Sequence, residues 1–228
     1  MLDALQKKMD DMGIDVFGTS GVTDCVSSAF SKTPYAITLG VRLSDAVIDN
    51  IYGGPTKNYF HHYRTVNAHL DRCALRCVIE LQRSGHNAVA IPASQTTRSA
   101  AIAGDFPHKT AAHRAGLGFI GKNALFVSYS FGPRVRLATV LTDYVLAGNT
   151  IAASQCGECR ACVSACPCGA ITGRLWTPES SRDDLVDAAL CSRYMKDKYR
   201  MIGRGSVCGI CVAVCPAGQN TQNVEKSY

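Results

Sequence analysis

The run Cys156-Gly-Glu-Cys159-Arg-Ala-Cys162-Val-Ser-Ala-Cys166-Pro167 decides how the last third of this chain is built. Two residues separate the first three cysteines, three separate the last pair, and a proline closes the run. That spacing is specific to loops that ligate 4Fe-4S clusters. Three thiolates turn toward one cubane, and the fourth, before the proline, serves its neighbour. Iron in such a cluster needs soft, deprotonated sulfur donors. A shorter run, Cys208-Gly-Ile-Cys211-Val-Ala-Val-Cys215-Pro216, repeats the end of the pattern. A full copy would need cysteine at position 205, which is Gly205. Cys191, seventeen residues before Cys208 in a helical-looking segment, is the natural substitute. The count then closes at eight thiolates.

The crossing rule assigns Cys156, Cys159, Cys162 and Cys215 to one cluster, and Cys166, Cys191, Cys208 and Cys211 to the other. Zinc also uses paired CxxC ligands, but two CxxCxxxCP units in tandem favour iron–sulfur ligation. Cys168 is surplus and reads as packing beside a cluster. Cys73 and Cys77 lie four apart on an apolar helix face and read as small buried hydrophobes.

Around this module the chain is ordinary. It has 228 residues, 46% hydrophobic and 18% charged, with mean hydropathy near zero. No apolar run approaches the ~20 residues of a membrane span. The N-terminus lacks the apolar core and cleavage site of a secretory signal, so the expected compartment is the cytoplasm, with no membrane partner. The net charge of +6 is spread along the chain and does not call for a nucleic-acid partner. Twelve cysteines in a long chain without a signal fit metal ligation in a reducing compartment better than disulfides.

Residues 1–150 form the expected first domain, and residues 151–228 the cluster module. Leu2, Leu5, Met9 and Met12 repeat at helical spacing up to Gly13. Tyr35 to Leu43 reads as a strand behind Pro34. Tyr63, Val66, Leu70, Ala74, Cys77, Val78 and Leu81 share one face of a long helix that ends at Gly85. Ala88 to Ile91, Ala124 to Ser128 and Arg136 to Thr142 are further strand candidates, and Pro107 to Ala115 looks helical. This order suggests an α/β sandwich with helices packed on a sheet. The second region is poor in apolar surface and is expected to be held together by its metal.

The first region also carries His113-Arg-Ala-Gly116-Leu117-Gly118-Phe-Ile-Gly121-Lys122-Asn123. Gly116-x-Gly118-x-x-Gly121 formally matches a dinucleotide fingerprint. That fingerprint must follow a strand and open a helix, and here the order is reversed.

Together, the cysteine pattern, the lone Cys191 and this glycine loop make residues 35 to 218 resemble the epoxyqueuosine reductase and reductive dehalogenase group, cobalamin-dependent iron–sulfur reductases. The resemblance implies an α+β fold: a nitroreductase-like domain that holds cobalamin, joined to a bacterial-ferredoxin-like module with two 4Fe-4S clusters. It implies an external electron donor such as ferredoxin or flavodoxin, and electrons passed through both clusters to a cobalamin that reduces a small substrate. Gly116, Leu117, Gly118, Gly121, Lys122 and Asn123 would line the cofactor. Flavin mononucleotide, common in nitroreductase-like folds, ranks below cobalamin.

The likeness departs at Tyr59-Phe60-His61-His62-Tyr63-Arg64. The queuosine enzymes carry an Asp-Tyr-His segment there whose aspartate is the proposed proton donor, and this stretch has no carboxylate. His62 or Tyr63 becomes the catalytic candidate. His61 and Arg64 would face the substrate, and Arg98 and His113 are further polar candidates. The alternative reading is an electron carrier or reductive activator of a corrinoid protein or metalloprotein, with no small-molecule substrate of its own.

Overall fold

The computed structural model describes residues 1–94, 102–205 and 207–219. In chain order the elements are α1 (Leu2–Asp11), β1 (Val16–Gly21), β2 (Tyr35–Arg42), α2 (Asp45–Ile48), α3 (Lys57–Arg83), β3 (Ala88–Ile91), α4 (His108–Arg114), β4 (Gly118–Ile120), β5 (Phe126–Ser128), β6 (Val135–Thr142), α5 (Ala161–Ala165), α6 (Ala188–Lys198) and α7 (Ile210–Ala213). No helix among the described residues is long and apolar enough to cross a membrane.

The chain divides into two units, each assembled from three segments. The first takes Met1–Arg42, Arg64–Leu117 and Arg136–Ala152; the second takes Leu43–Tyr63, Gly118–Val135 and the chain from Ala153 onward. The last boundary falls two residues from the expected one at 150/151. The two earlier segments of the second unit are not visible as a break in composition.

The first unit is built around a four-stranded sheet of order β1-β2-β6-β3. β1 and β2 pair antiparallel from Val16↔Gly40 to Gly21↔Tyr35, and β3 pairs antiparallel with β6. The apolar face of α3 is buried as its spacing requires: Val66, Leu70, Cys73, Ala74, Cys77 and Leu81 are all inaccessible or nearly so. Gly85 ends the helix at φ +86. Its N–H reaches Gln82 O, and that of His86 reaches Leu81 O, the paired closure that a left-handed residue permits. Val22, Ala36, Ile91, Phe106, Ala111 and Leu141 form one core cluster.

β1 was not expected. Gly18, Thr19, Ser20 and Gly21 give it little strand propensity, yet the site needs a small residue. A Cβ on Gly18 would stand 2.9 Å from a Leu117 methyl and 3.0 Å from Ala115.

The second unit has less apolar material. Ile120, Ala124 and Leu185 form a small buried cluster, with Trp176 and Val186 packed on it. β4 and β5 pair antiparallel from Gly118↔Ser128 to Ile120↔Phe126. A Cβ on Gly118 would lie 2.1 Å from Val127 O, so only glycine fits that pairing. β5 starts two residues later than expected, because Ala124 takes φ +57 in a turn closed by its N–H on Gly121 O. Arg134, 2% exposed, holds Asp45 at 2.8 Å and Asp49 at 2.7 Å, fixing α2.

Candidate metal centre

All eight expected thiols lie in the second unit. The Cys156–Cys162 loop turns tightly, with Cys159 N–H on Cys156 O and Gly157 at φ +47. Cys162 follows on α5, and Cys166 caps that helix. Cys191 rides on α6, whose first turn is capped by Asp187 accepting from Leu190 N–H at 2.8 Å. Cys211 sits in α7, with Cys208 just before it and Cys215 just after. Gly209 opens α7 at φ +83, and a Cβ there would strike the Tyr59 ring at 2.7 Å.

Mutual electrostatics sort the thiols. Burial pushes Cys162 up, and Cys156, Cys215 and Cys159 add to it. Burial likewise raises Cys215, with Cys156 and Cys159 as its thiol neighbours. In the other group, Cys191 is pushed up to about 11 by burial and then by Cys168, Cys208 and Cys166. Cys211 is driven well above the usual thiol range by burial, then by Cys208, Cys191, Cys162 and Cys166, so its neighbours span both groups. Burial also acts on Cys166, but N–H groups of Cys168, Ala170 and Ile171 outweigh it, and its pKa falls. Among the described residues no three His, Cys, Asp or Glu side chains close on a single ion. A cubane takes one thiolate at each of four irons, so its ligands need not converge on one point.

Lys122 is 5% exposed, and its Nζ donates to Gly157 O at 2.6 Å and Cys159 O at 3.0 Å. Asn123 accepts from Leu125 N–H through Oδ1 and donates through Nδ2 to Cys211 O at 3.4 Å. A Cβ on Gly121 would lie 3.7 Å from Cys156 Sγ. Gly121, Lys122 and Asn123 are thus pressed against both cysteine runs. Gly118 is occupied with Val127. Gly116, at φ +73, and Leu117 lie in the first unit, where a Cβ on Gly116 would meet Thr150.

The remaining candidates are placed as follows. His62 Nε2 accepts the Ser44 N–H at 3.0 Å, and its pKa is lowered by burial and then by His61. The Tyr63 ring lies 6.4 Å from that of Tyr59. His61 and Arg64 are exposed. His113 is buried in the first unit, its Nε2 accepting from Ala152 N–H at 3.0 Å. Arg98 lies outside the described residues. Sequence reasoning missed Tyr199, whose hydroxyl donates to Gly53 O at 3.3 Å. Burial raises its pKa, followed by Tyr194, Cys208 and Cys168. Cys168, expected to pack beside a cluster, has its Sγ 3.8 Å from Cys166 Sγ.

Residues 155–218 match the 4Fe-4S double cluster binding domain. Epoxyqueuosine reductase of Listeria monocytogenes is 30% identical over 122 residues, half of this chain and 30% of the relative. The Synechocystis enzyme is 31% identical over 127 residues, 51% of this chain and 41% of the relative. Over about half of its length the chain is similar to epoxyqueuosine reductases. It spans well under half of these curated relatives. The fold is shared more widely. A reductive dehalogenase structure linked to B12-dependent dehalogenation superposes with a TM-score of 0.71 at 18% identity, covering 94% of this chain and 31% of that one. An epoxyqueuosine reductase solved with a tRNA stem loop gives 0.61 at 16%, covering 96% and 65%. The architecture is therefore mixed α/β, with a double-cluster domain over residues 155–218.

Proposed function

We propose that the chain holds two 4Fe-4S clusters and uses them to deliver electrons to a cobalamin-dependent reduction. Cys156, Cys159, Cys162 and Cys215 would hold one cluster; Cys166, Cys191, Cys208 and Cys211 would hold the other. The carrying observation is the match of residues 155–218 to the 4Fe-4S double cluster binding domain, with all eight thiols in one unit. The donor set fits: soft sulfur ligands, gathered within one unit. Bound there, the clusters supply one-electron storage and transfer, and a cobalamin, as in the dehalogenase relative, supplies the reducing centre.

The chain's own residues position and shield. Lys122 and Asn123 fix the loops that carry Cys156, Cys159 and Cys211. The N–H groups aimed at Cys166 favour its thiolate. Gly116 and Leu117 remain the proposed corrin-facing residues of the glycine loop. Tyr63 is the preferred proton donor, because the acceptor nitrogen of His62 is already engaged by Ser44. The substrate is a small molecule or, as in the complexed relative, a tRNA stem loop. A tRNA substrate would revise the sequence reading, in which charge gave no reason to expect nucleic acid.

A second reading, electron donor to a corrinoid or metalloprotein partner, is favoured by the absence of a carboxylate from Tyr59 to Arg64. One anoxic preparation addresses both. About eight irons per chain are expected, with corrin absorption retained after desalting in the presence of cobalamin. Far fewer irons, or zinc instead, would overturn the cluster reading. Full iron without corrin retention would leave the donor reading.

A further inference from the structure

Five thiols gather where the second cluster needs four: Cys166, Cys168, Cys191, Cys208 and Cys211. Cys166 and Cys168 share one four-residue turn, closed by Gly169 N–H on Cys166 O at 3.2 Å. Pro167 fixes the backbone between them, and Gly169 at φ +65 lets the chain leave the turn. Their sulfurs are 3.8 Å apart. The two sulfurs are in contact, close enough for either to serve the same iron corner. The Ala170 N–H is directed at both sulfurs. Cys168, like Cys166, also stands beside Cys191.

We propose that Cys166 and Cys168 are alternative thiolate ligands for a single iron corner of the second cluster. The inference rests on the cluster reading above and extends it. In the exchange one Fe–S bond breaks and one forms. The incoming thiol passes its proton to the departing thiolate, so no electron and no net proton is consumed. The corner keeps a sulfur ligand when either cysteine is displaced or oxidised, and the three N–H groups on Cys166 make it the resting ligand.

The test uses the full chain, reconstituted anoxically, as wild type, Cys166→Ala, Cys168→Ala and the double variant. Iron and sulfide content and the electron paramagnetic resonance of the oxidised and reduced forms are read. Each single variant is expected to keep about eight irons, with Cys166→Ala showing a shifted reduced-cluster signal. The double variant is expected to lose the unique corner iron and to show a three-iron signal when oxidised. Loss from Cys166→Ala as complete as from the double variant would overturn the exchange, as would a double variant that keeps every iron. Brief anoxic alkylation of the wild-type holoprotein, followed by peptide mapping, needs no variant. Label divided between Cys166 and Cys168 supports exchange, and label on Cys168 alone excludes it. A wild type with far fewer irons would instead sink the cluster reading, and this inference with it.

Discussion

Cysteine does opposite things in the two units. On α3, Cys73 and Cys77 are fully buried among aliphatic side chains, and burial pushes the Cys77 thiol up to about 12. They behave as small hydrophobes in a core that a sheet and a long helix already supply. In the second unit, nine cysteines are half-buried or exposed, and the buried apolar residues are fewer than in the first. There the proposed clusters supplement a smaller core. On that reading the first unit is held by apolar periodicity, and the second by ligation as well. The difference predicts separate responses to metal, pH and point substitution.

The largest expected effect is metal removal. Structural metal sites contribute on the order of 10 kcal/mol to folding. Chelating the iron should leave α3 and β6 protected from hydrogen exchange while α5, α6 and α7 exchange freely. Equal loss of protection in both units would break the comparison.

Acid should act on the first unit. His108 Nε2 donates to Pro92 O at 2.9 Å, and its Nδ1 accepts from Thr139 at 2.9 Å. Burial lowers its pKa to about 4; the Pro92 carbonyl and Asp71 oppose the shift, and Arg136 reinforces it. The folded state therefore keeps a neutral imidazole where the unfolded chain, with its ordinary value near 6.5, takes up a proton. Stability is unaffected above that value and falls as the pH drops through the window from about 6.5 to about 4. The total loss is on the order of 3 kcal/mol. Exchange rates in α3, followed between pH 7 and 4.5, should show it, and His108→Asn should flatten the slope.

Lys122→Met comes next. It removes both donors to the cluster loop and leaves the carbonyls of Gly157 and Cys159 without them, a cost of roughly 2 kcal/mol in the second unit. Iron release to a chelator should accelerate from the Cys156 group first, with the first unit unchanged. Lys122→Arg should restore part of the retention. Equal loss of iron from both groups would show that Lys122 acts on the whole module.

The sequence made these units legible to different depths. α1, α3, β2, β3 and β6 follow from periodicity and glycine stops, because their apolar faces are continuous. β1 escaped because its glycines and Ser20 carry little strand propensity, while at Gly18 a side chain is excluded by Leu117 and Ala115. The proposed ligand cysteines rest on spacing, since ligation imposes a local geometry. The partners of Lys122 and Asn123 were not, because those contacts join residues 35 to 88 positions apart and the glycines around them suggest a cofactor cradle. The use of His62 Nε2 by Ser44 was hidden for the same reason.

The smallest effect sharpens the comparison most. Gly85 and Gly157 both have positive φ, +86 and +47, and a Cβ at either meets nothing within 4 Å. Alanine at each position therefore costs only backbone strain, about 1 kcal/mol. At Gly85 that strain opposes the closure of α3, and it should appear as a shift in the denaturation midpoint of the first unit, whether or not iron is bound. At Gly157 the same strain falls between two ligands, within a loop that Lys122 and the metal already constrain. Its measurable consequence should be faster iron loss, with the first unit's midpoint unmoved. If Gly157→Ala shifted that midpoint while iron retention stayed constant, the second unit would not be held by its metal.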